Sequence, residues 1–384
     1  MKYSLVLLTF MFSPICQSDE AINTQVANKL ESLISSGEIP GAQYTVVNAS
    51  GLIFEYSAGR RDIANNLPVT PDTVFMLNSS TKVFTAAAIL KLLDHGKISL
   101  DQKISQYLPT QPYGPEVTIR HLLSQTSGIP NPLPLKWLHL KKDHESFNED
   151  AVLAEVLTEE STRDFSPGDK YAYSNISYWL LGKIIESVSG LSYCEYLQKS
   201  VFAPLDISAD QLNCTMPDEQ HYAAGYQKKY TFFSLFLSVA GASEFFGETE
   251  EGFIRFKNVY HNGPSYGGLF GSGRGVARFL SDLLKDTPQL LRPESRDLFF
   301  TIQKNNKGEP LPITLGWRPG KLDGNLYYEK PGGGPGGHSN IRIYPDKKIA
   351  TIYFINKTDV KESNISGFSN ELDRLLFSDL SPKK

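Results

Sequence analysis

The tetrad Ser79-Ser80-Thr81-Lys82 stands at the head of an apolar, alanine-rich run that extends to Leu93. A helix places residues i and i+3 on one face, about one turn apart, so the Ser79 hydroxyl and the Lys82 amine can meet. A serine hydroxyl is a weak nucleophile until a neighbouring base takes its proton, and a lysine can act as that base when burial or a nearby cation lowers its pKa. The tetrad therefore indicates a nucleophilic serine, although the same spacing also arises by chance.

A second element is Tyr173-Ser174-Asn175, which follows the turn at Pro167-Gly168 and precedes an apolar helix. A Tyr-x-Asn triplet at the end of a loop can aim a phenol and an amide at the same spot. A phenol placed between two ammonium groups can serve as a base or as a proton relay. On its own, such a triplet is more typical of a packed tyrosine beside an asparagine helix cap.

A third element is Lys330-Pro331-Gly332, which leads through the glycine-rich stretch 333–337 to a strand-like segment. Glycines let a substrate lie against the backbone and free N–H groups to face an oxyanion, and Lys330 adds positive charge. Taken alone, the segment is more typical of a flexible hairpin with a solvated lysine.

Together and in this order, the three motifs resemble those of the serine β-lactamase and penicillin-binding-protein family, which carries Ser-x-x-Lys, Tyr-x-Asn, and then Lys-Thr-Gly or His-x-Gly. The chain is most similar to the class C branch with its esterase and D-peptidase relatives. Segments 122–130 and 266–269 also resemble the family, and the resemblance covers residues 25–357. It implies a β-lactamase/transpeptidase-like α/β (α+β) fold, with an antiparallel sheet flanked by helices and an inserted, mainly helical domain.

The resemblance assigns reacting roles to three of these residues. Ser79 would be the acylated nucleophile, and Lys82 would keep it deprotonated or shuttle its proton. Tyr173 would be the general base or the proton relay. The sequence leaves open whether Lys82 or Tyr173 is the acylation base, because the two would titrate as a coupled pair.

The resemblance assigns binding roles to four more positions. Asn175 would hold the substrate amide or the lysine, and Lys330 would bias the phenol and attract an anionic substrate group. The backbone N–H of Gly333, beside Gly332, would complete the oxyanion hole with that of the nucleophile. An oxyanion donor of this kind is worth on the order of 3 kcal/mol of barrier. No cofactor and no metal are expected.

Two positions depart from the family pattern. Pro331 stands where the family has a hydroxyl residue that helps hold the carboxylate of a β-lactam or peptide, and proline has no donor to offer. This substitution predicts that penicillin hydrolysis is not the main activity. Gln125 replaces a frequent histidine at a position that we expect to be structural.

A different nucleophile is suggested by Gly263-Pro264-Ser265-Tyr266-Gly267, which matches the G-x-S-x-G elbow. Asp323 and His338 follow in the chain order of an α/β-hydrolase triad. An elbow needs a strand–turn–helix within alternating βα units, whereas the pattern here predicts helix and loop, so we favour Ser79. For His338, we expect packing beside the strand rather than contact with the substrate.

Hydrophobic periodicity predicts the arrangement of elements. Helices are predicted at 21–37, 79–95, 178–188, 275–284 and 365–377, and strands within 41–59 and at 312–317, 340–344 and 349–355. Because strands come from both ends and helices from the middle, the pattern predicts a sheet part built from residues 19–75 and 285–384. Residues 76–284 would form the mainly helical part.

The N-terminus and the bulk composition limit localisation and partners. The 384 residues carry a net charge of −4, so the chain lacks a basic footprint and we predict no nucleic-acid partner. Residues 1–18 indicate a signal peptide, because Lys2 precedes a short apolar stretch and small residues follow near Cys16. A buried N-terminal element or a lipid anchor on Cys16 is the poorer alternative. We predict a secreted or periplasmic mature protein, residues 19–384.

Two features leave alternatives open. Cys194 and Cys214 could form one disulfide in an oxidising compartment or remain two buried thiols. The apolar segment 231–246 favours a core helix, but it could also form an apolar lid or make peripheral membrane contact. Its length is too small for a transmembrane helix.

The sequence thus predicts an exported serine hydrolase that forms an acyl-enzyme on a small-molecule or peptide substrate. The substrate would be an ester or amide, such as a carboxylic ester or a D-amino-acid peptide, with β-lactams as a lesser possibility. The alternatives are a D-Ala-D-Ala carboxypeptidase, a class C β-lactamase proper, or a non-catalytic penicillin-binding-like protein of the cell envelope. A complete motif set favours an enzyme, because a binding-only relative is expected to have lost at least one member.

Overall fold

A seven-stranded antiparallel sheet forms the centre of the computed structural model, which describes residues 18–132, 137–231, 242–358 and 362–380. In spatial order the strands are β12 (Arg318–Leu322), β13 (Asn325–Gly334), β14 (Gly337–Tyr344), β15 (Ile349–Ile355), β1 (Gly41–Asn48), β2 (Gly51–Asp62) and β3 (Leu67–Pro68). Strands from the two ends of the chain meet where Ala42 pairs with Ile355. The predicted antiparallel α+β fold is confirmed.

The helices fall on both sides of this sheet. They are α1 (Ser18–Ser35), α2 (Thr81–Asp94), α3 (Ile119–Leu123), α4 (Glu149–Glu159), α5 (Asn175–Ser189), α6 (Tyr193–Leu197), α7 (Pro264–Gly267), α8 (Gly273–Leu283), α9 (Pro293–Phe300) and α10 (Glu362–Leu380). The described residues between β3 and β12 also form three small sheets that the sequence did not predict. Their strands are β4 (Phe75–Met76), β5 (Leu138–Leu140), β6 (Leu212–Asn213), β7 (Tyr226–Lys228), β8 (Phe246–Glu250), β9 (Phe253–Phe256), β10 (Val259–His261) and β11 (Phe270–Gly271).

The central sheet is buried on both faces, which explains why β15 is an almost continuous run of apolar residues. On β15, Tyr353 packs into one apolar cluster with Leu372 of α10, whereas its neighbour Phe354 packs into the other. Successive side chains of a strand point to opposite faces, so these two clusters lie on opposite sides of the sheet. The second cluster also contains the alanine-rich face of α2, and α2 is therefore held against the sheet.

One predicted strand is wrong. Residues 312–317 form an irregular turn, in which Thr314 and Trp317 hydrogen-bond each other and Gly316 has φ +110°. The apolar residues that suggested a strand, Leu315 and Trp317, are fully buried in the core instead. The strand begins one residue later, at Arg318, and the next strand runs through the third motif.

A buried ion network fastens α10 to β13 and β14. The guanidinium of Arg342 is fully buried and donates hydrogen bonds to Glu329 and to Asp373. Asp373 also accepts a hydrogen bond from the Tyr344 hydroxyl. Burial alone would raise the pKa of Glu329, but Arg342 and Arg318 outweigh it and hold that pKa below its ordinary value. Because Glu329 directly precedes Lys330, this network fixes the strand that carries the third motif.

Candidate active site

Ser79 lies in a short 3-10 turn, Asn78–Ser80, that leads directly into α2. The turn is anchored by Ser80, whose buried hydroxyl donates to the Lys330 carbonyl at 2.7 Å and lies 2.8 Å from the Ser339 hydroxyl. Ser339 in turn donates to the carbonyl of Leu77 at 2.6 Å. The residues on either side of the nucleophile are therefore tied to β13 and β14.

The phenol of Tyr173 is the nearest side-chain partner of the nucleophile. Its hydroxyl lies 2.7 Å from Ser79 Oγ and 3.2 Å from Asn175 Oδ1. Tyr173 ends the loop before α5, and this loop end is held by Gln125, which accepts from the Ser174 N–H at 2.5 Å and donates to the Ser174 carbonyl at 3.2 Å. The Ser174 hydroxyl caps the helix, so Asn175 is its first residue rather than its cap.

Lys82 is fully buried beside the nucleophile. Its ammonium nitrogen donates to Asn175 Oδ1 at 2.8 Å and to the Tyr266 carbonyl at 2.6 Å. The nitrogen also lies 3.4 Å from Ser79 Oγ. The expected Ser79–Lys82 approach is present, but this contact is longer than the one between Ser79 and Tyr173.

Two ammonium groups flank the phenol. The Nζ atoms of Lys82 and Lys330 lie 4.9 Å and 4.8 Å from the centre of the Tyr173 ring, and both lysines are buried. Positive charges at this range in a buried site stabilise negative charge on the phenol oxygen. Lys330 reaches this position from β13, whereas Lys82 belongs to α2.

The glycines of the third motif let β13 approach the nucleophile turn. A Cβ on Gly332 would lie 2.3 Å from the Leu77 carbonyl oxygen and 2.8 Å from the Ser80 nitrogen. Gly333 pairs with His338 on β14, and a Cβ there would lie 2.6 Å from the imidazole. His338 is buried and its Nδ1 lies 3.3 Å from the Gly332 carbonyl, so it packs against the strand as expected. Pro331 pairs with Asn340.

The structure thus brings Ser79, Lys82, Tyr173, Asn175 and the Lys330–Gly333 segment to one place. In comparisons with known proteins, residues 24–374 match the family model described as Beta-lactamase. The chain belongs to the beta-lactamase family. It is a serine hydrolase of the β-lactamase and penicillin-binding-protein type, as the sequence predicted.

Two relatives illustrate the range of the beta-lactamase family. "Penicillin-binding protein 4*" of Bacillus subtilis (strain 168) is 28% identical over 326 residues, which cover 83% of this chain and 69% of that protein. "Protein flp" of Staphylococcus aureus (strain N315) is 31% identical over 208 residues, or 53% of this chain and 41% of that protein. The chain thus spans less than half of the staphylococcal protein.

Two solved structures share the fold of this family member. D-amino acid amidase from Ochrobactrum anthropi SV3 superposes with a TM-score of 0.76 at 19% identity, over 94% of this chain and 99% of that one. The octameric penicillin-binding protein homologue from Pyrococcus abyssi superposes with a TM-score of 0.73 at 23% identity, over 90% and 76%.

Sequence reasoning missed several groups of this site. The Tyr266 carbonyl holds Lys82, but a backbone group leaves no signal in a sequence. Asn131 accepts from the N–H of Asn175 at 2.9 Å. Asn78 precedes the nucleophile with φ +48° and accepts a hydrogen bond from His261. An asparagine directly before the reactive serine was a usable signal, because Asn tolerates the left-handed region better than most residues.

The hydroxyl of the alternative elbow serine, Ser265, has no hydrogen-bond partner among the described residues, so it is not part of a triad. Ser265 is buried in α7, and its hydroxyl lies so close to α5 that a Cβ on Gly182 would be 2.4 Å away. Asp323 pairs with Arg374, and His338 bonds β13. Ser265 therefore contributes packing, and its carbonyl accepts from Thr85 of α2.

Three further expectations concern features outside the site. Cys194 and Cys214 are joined as a disulfide, with their Cα atoms 5.9 Å apart. In the apolar segment 231–246, residues 232–241 lie outside the described part, whereas Phe245 and Phe246 pack in a core cluster with Phe256. Among the described residues, no helix is long and apolar enough to cross a membrane, and no group of three or more His, Cys, Asp or Glu is placed to hold a metal.

Proposed function

We propose that this protein hydrolyses small carboxylic esters and amides, including amides of D-amino acids, through an acyl-enzyme on Ser79. The observation that carries the proposal is the 2.7 Å contact between the Ser79 and Tyr173 hydroxyls, in a site where two lysines flank the phenol. This arrangement supplies a nucleophile, an immediate proton acceptor and charges that favour the phenolate.

The first half-reaction forms the acyl-enzyme. Ser79 Oγ attacks the substrate carbonyl carbon while its proton passes to the Tyr173 oxygen. The carbonyl oxygen takes the negative charge and is bound by the N–H groups of Ser79 and Gly333. When the tetrahedral intermediate collapses, the bond to the alcohol or amine breaks, and the leaving group takes the proton from Tyr173.

The second half-reaction returns the free enzyme. Water gives its proton to Tyr173 and adds to the acyl carbon, the bond to Ser79 breaks, and Ser79 Oγ takes the proton back. Lys82 remains bound to Asn175 and to the Tyr266 carbonyl throughout, so it stabilises the charge on the phenol without leaving its place. Lys330 adds the second charge beside the phenol.

The choice of esters and amides over β-lactams follows from Pro331. The residue offers neither a hydroxyl nor an N–H to the carboxylate of a penicillin, and the loss of a hydrogen bond to a charged group costs about 1.5–3 kcal/mol. A D-amino acid amide carries no such carboxylate and loses nothing at this position. The D-amino acid amidase with the same fold acts on amides of this class by its name, which supports the choice.

The compartment proposed is outside the cytoplasm. Residues 1–17, which carry most of the predicted signal, lie outside the described residues. The Cys194–Cys214 disulfide supports export, because disulfides persist in oxidising compartments. Peripheral membrane contact through segment 231–246 stays a prediction.

A substrate panel tests the proposal. Purified protein would be assayed with p-nitrophenyl acetate and butyrate, D- and L-phenylalanine amide, D-Ala-D-Ala and a chromogenic cephalosporin, with Ser79→Ala as control. We expect Ser79-dependent turnover of the esters and the D-amide. The kcat/KM for the cephalosporin should be at least about tenfold lower than for the esters, because Pro331 gives its carboxylate no hydrogen bond. Binding of these compounds without any turnover would support the non-catalytic alternative instead.

A further inference from the structure

Asn78, directly before the nucleophile, combines a constrained backbone with a fully engaged side chain. Its φ of +48° lies in the left-handed region, which costs a residue other than glycine about 1–2 kcal/mol. Glycine would adopt this φ angle at lower cost. The asparagine side chain must therefore contribute something that glycine could not. It is almost completely buried.

The amide of Asn78 links the nucleophile turn to the β13–β14 hairpin. Its Nδ2 donates to the Gly337 carbonyl at 3.2 Å and lies 3.4 Å from the Met76 carbonyl. These two acceptors fix which end of the amide is the nitrogen. Its Oδ1 lies against Gly334, where a Cβ would be only 2.2 Å away. One side chain therefore touches both ends of the turn that follows the oxyanion strand.

His261 holds the other end of this amide. Its Nε2 lies 3.1 Å from Asn78 Oδ1, and since that oxygen can only accept, Nε2 carries the proton and donates. The imidazole also packs edge-on against the Tyr266 ring and over Gly267, where a Cβ would be 3.1 Å away. It thus contacts both the nucleophile turn and the segment whose carbonyl binds Lys82.

The charge state of His261 suits a fixed donor. Burial, the nearby charge of Lys82 and His139 lower its pKa to about 3. The ring is therefore neutral at every pH at which the enzyme would be assayed. It has a single N–H, and the contact with Asn78 assigns that proton to Nε2.

We propose that Asn78 and His261 are positioning residues that set the geometry of the oxyanion hole. Asn78 holds the Ser79 turn at a fixed distance from the hairpin that carries Gly333, and His261 fixes the orientation of the Asn78 amide. Neither residue touches the reacting atoms. The inference rests on the proposed acyl-transfer function, since it concerns the two N–H groups that would bind the oxyanion.

Two near-isosteric substitutions of His261 test this role. His261→Gln keeps a side-chain N–H that can reach Asn78, whereas His261→Met has a similar length and no donor. We expect His261→Met to lower kcat for p-nitrophenyl acetate by about tenfold or more, since small displacements of reacting groups have large kinetic effects. KM should change less than about twofold, because the ester carbonyl gains its strongest contacts only in the transition state. His261→Gln should recover most of the rate.

A transition-state analogue separates positioning from general loss of structure. Phenylboronic acid forms a tetrahedral adduct with a reactive serine and places an oxygen in the oxyanion hole. Its inhibition constant should rise by the same factor as kcat falls in His261→Met and in Asn78→Gly. The glycine variant keeps the left-handed backbone but loses the buried hydrogen bonds of the amide, so its thermal unfolding must show that it is folded at the assay temperature. His95→Met, at an exposed position, is the matched surface control.

The outcomes are distinct. Equal kcat and boronate inhibition in wild type, His261→Met and Asn78→Gly would overturn the inference and leave the proposed function standing. A pH–rate profile displaced in His261→Gln would also overturn it, because it would make His261 an acid or base rather than a fixed donor. If a fluorophosphonate fails to label Ser79 of the wild type, the proposed function itself fails.

Discussion

The substitution Tyr173→Phe removes one oxygen atom from the centre of the site. The ring would remain between Lys82 and Lys330, so packing and the contacts of both ammonium groups with its face are retained. The lost interactions are the contacts of the phenol with Ser79 and with Asn175. At roughly 1 kcal/mol for each hydrogen bond, the variant should lose at most about 2 kcal/mol of folding free energy.

The effect of this substitution on the reaction should be much larger. A positioned general base contributes about 10²–10⁴-fold, and each factor of ten corresponds to about 1.4 kcal/mol of barrier. We therefore expect the acylation rate of Tyr173→Phe to fall by about 10²–10⁴-fold, or roughly 3–5 kcal/mol. The distances favour this assignment over Lys82, since Ser79 Oγ lies 2.7 Å from the phenol and 3.4 Å from the amine.

The assay is the pre-steady-state burst of p-nitrophenol, together with the second-order rate of Ser79 labelling by a fluorophosphonate. Thermal unfolding of both proteins would verify that the variant is folded. Acylation within about fivefold of wild type would refute the role of Tyr173, because that change is well below the contribution of a base. Lys82 would then be the acylation base, and Lys82→Met should carry the larger loss.

Three further predictions concern the specificity, the disulfide and the pH dependence of stability. Pro331→Thr should restore a hydrogen-bond donor for a carboxylate and speed acylation by benzylpenicillin about tenfold or more. The rate would be measured by intact mass against time, and an unchanged rate would show that the missing hydroxyl at position 331 does not limit the reaction with penicillin. Cys194→Ser should lower the free energy of unfolding by about 3 kcal/mol, because the bridge closes a loop between positions separated by 20 residues. Denaturant titrations would show this, and wild type with reductant should match the variant. Unfolded His261 binds a proton below its ordinary pKa of about 6.5, whereas folded His261 does so only near a pKa of about 3. The neutral imidazole therefore costs no stability above about pH 6.5. As the pH is lowered from about 7 to about 5, the free energy of unfolding should decrease by about 2 kcal/mol, because the unfolded chain takes up a proton that the folded protein does not. His261→Gln should therefore lose less stability over that interval than wild type, and parallel curves would contradict the shift.

The fold was predictable where the chain repeats a local pattern. The pattern of the alanine-rich run after Ser79 predicted a helix, and that of the apolar stretch at 349–355 predicted a strand. Both elements are present in the structure. The irregular segment 312–317 was predicted as a strand because it is apolar. Its apolar residues are buried in the core from a turn, and that turn depends on the positive φ of Gly316. Strand β13 was hidden for the opposite reason, since it contains Pro331 and a run of glycines that are rare inside strands.

The site was predictable where family motifs carry side-chain chemistry. The resemblance to the family motifs named Ser79, Lys82, Tyr173, Asn175 and Lys330, and the structure brings all five to one place. Groups that act through backbone atoms or through partners far along the chain left no such pattern. The Tyr266 carbonyl and the His261 imidazole belong to this second kind, since each lies more than 180 positions from its partner, Lys82 and Asn78 respectively.

The most direct test of the account is intact mass spectrometry of the purified protein after separate incubation with a fluorophosphonate and with benzylpenicillin, followed by peptide mapping. We predict a stoichiometric fluorophosphonate adduct on Ser79 that is absent in Ser79→Ala. Penicillin should give little or no adduct on the same time scale, because Pro331 offers no donor to its carboxylate. An adduct on Ser265, or undiminished labelling of Ser79→Ala, would contradict the central claim that Ser79 is the nucleophile.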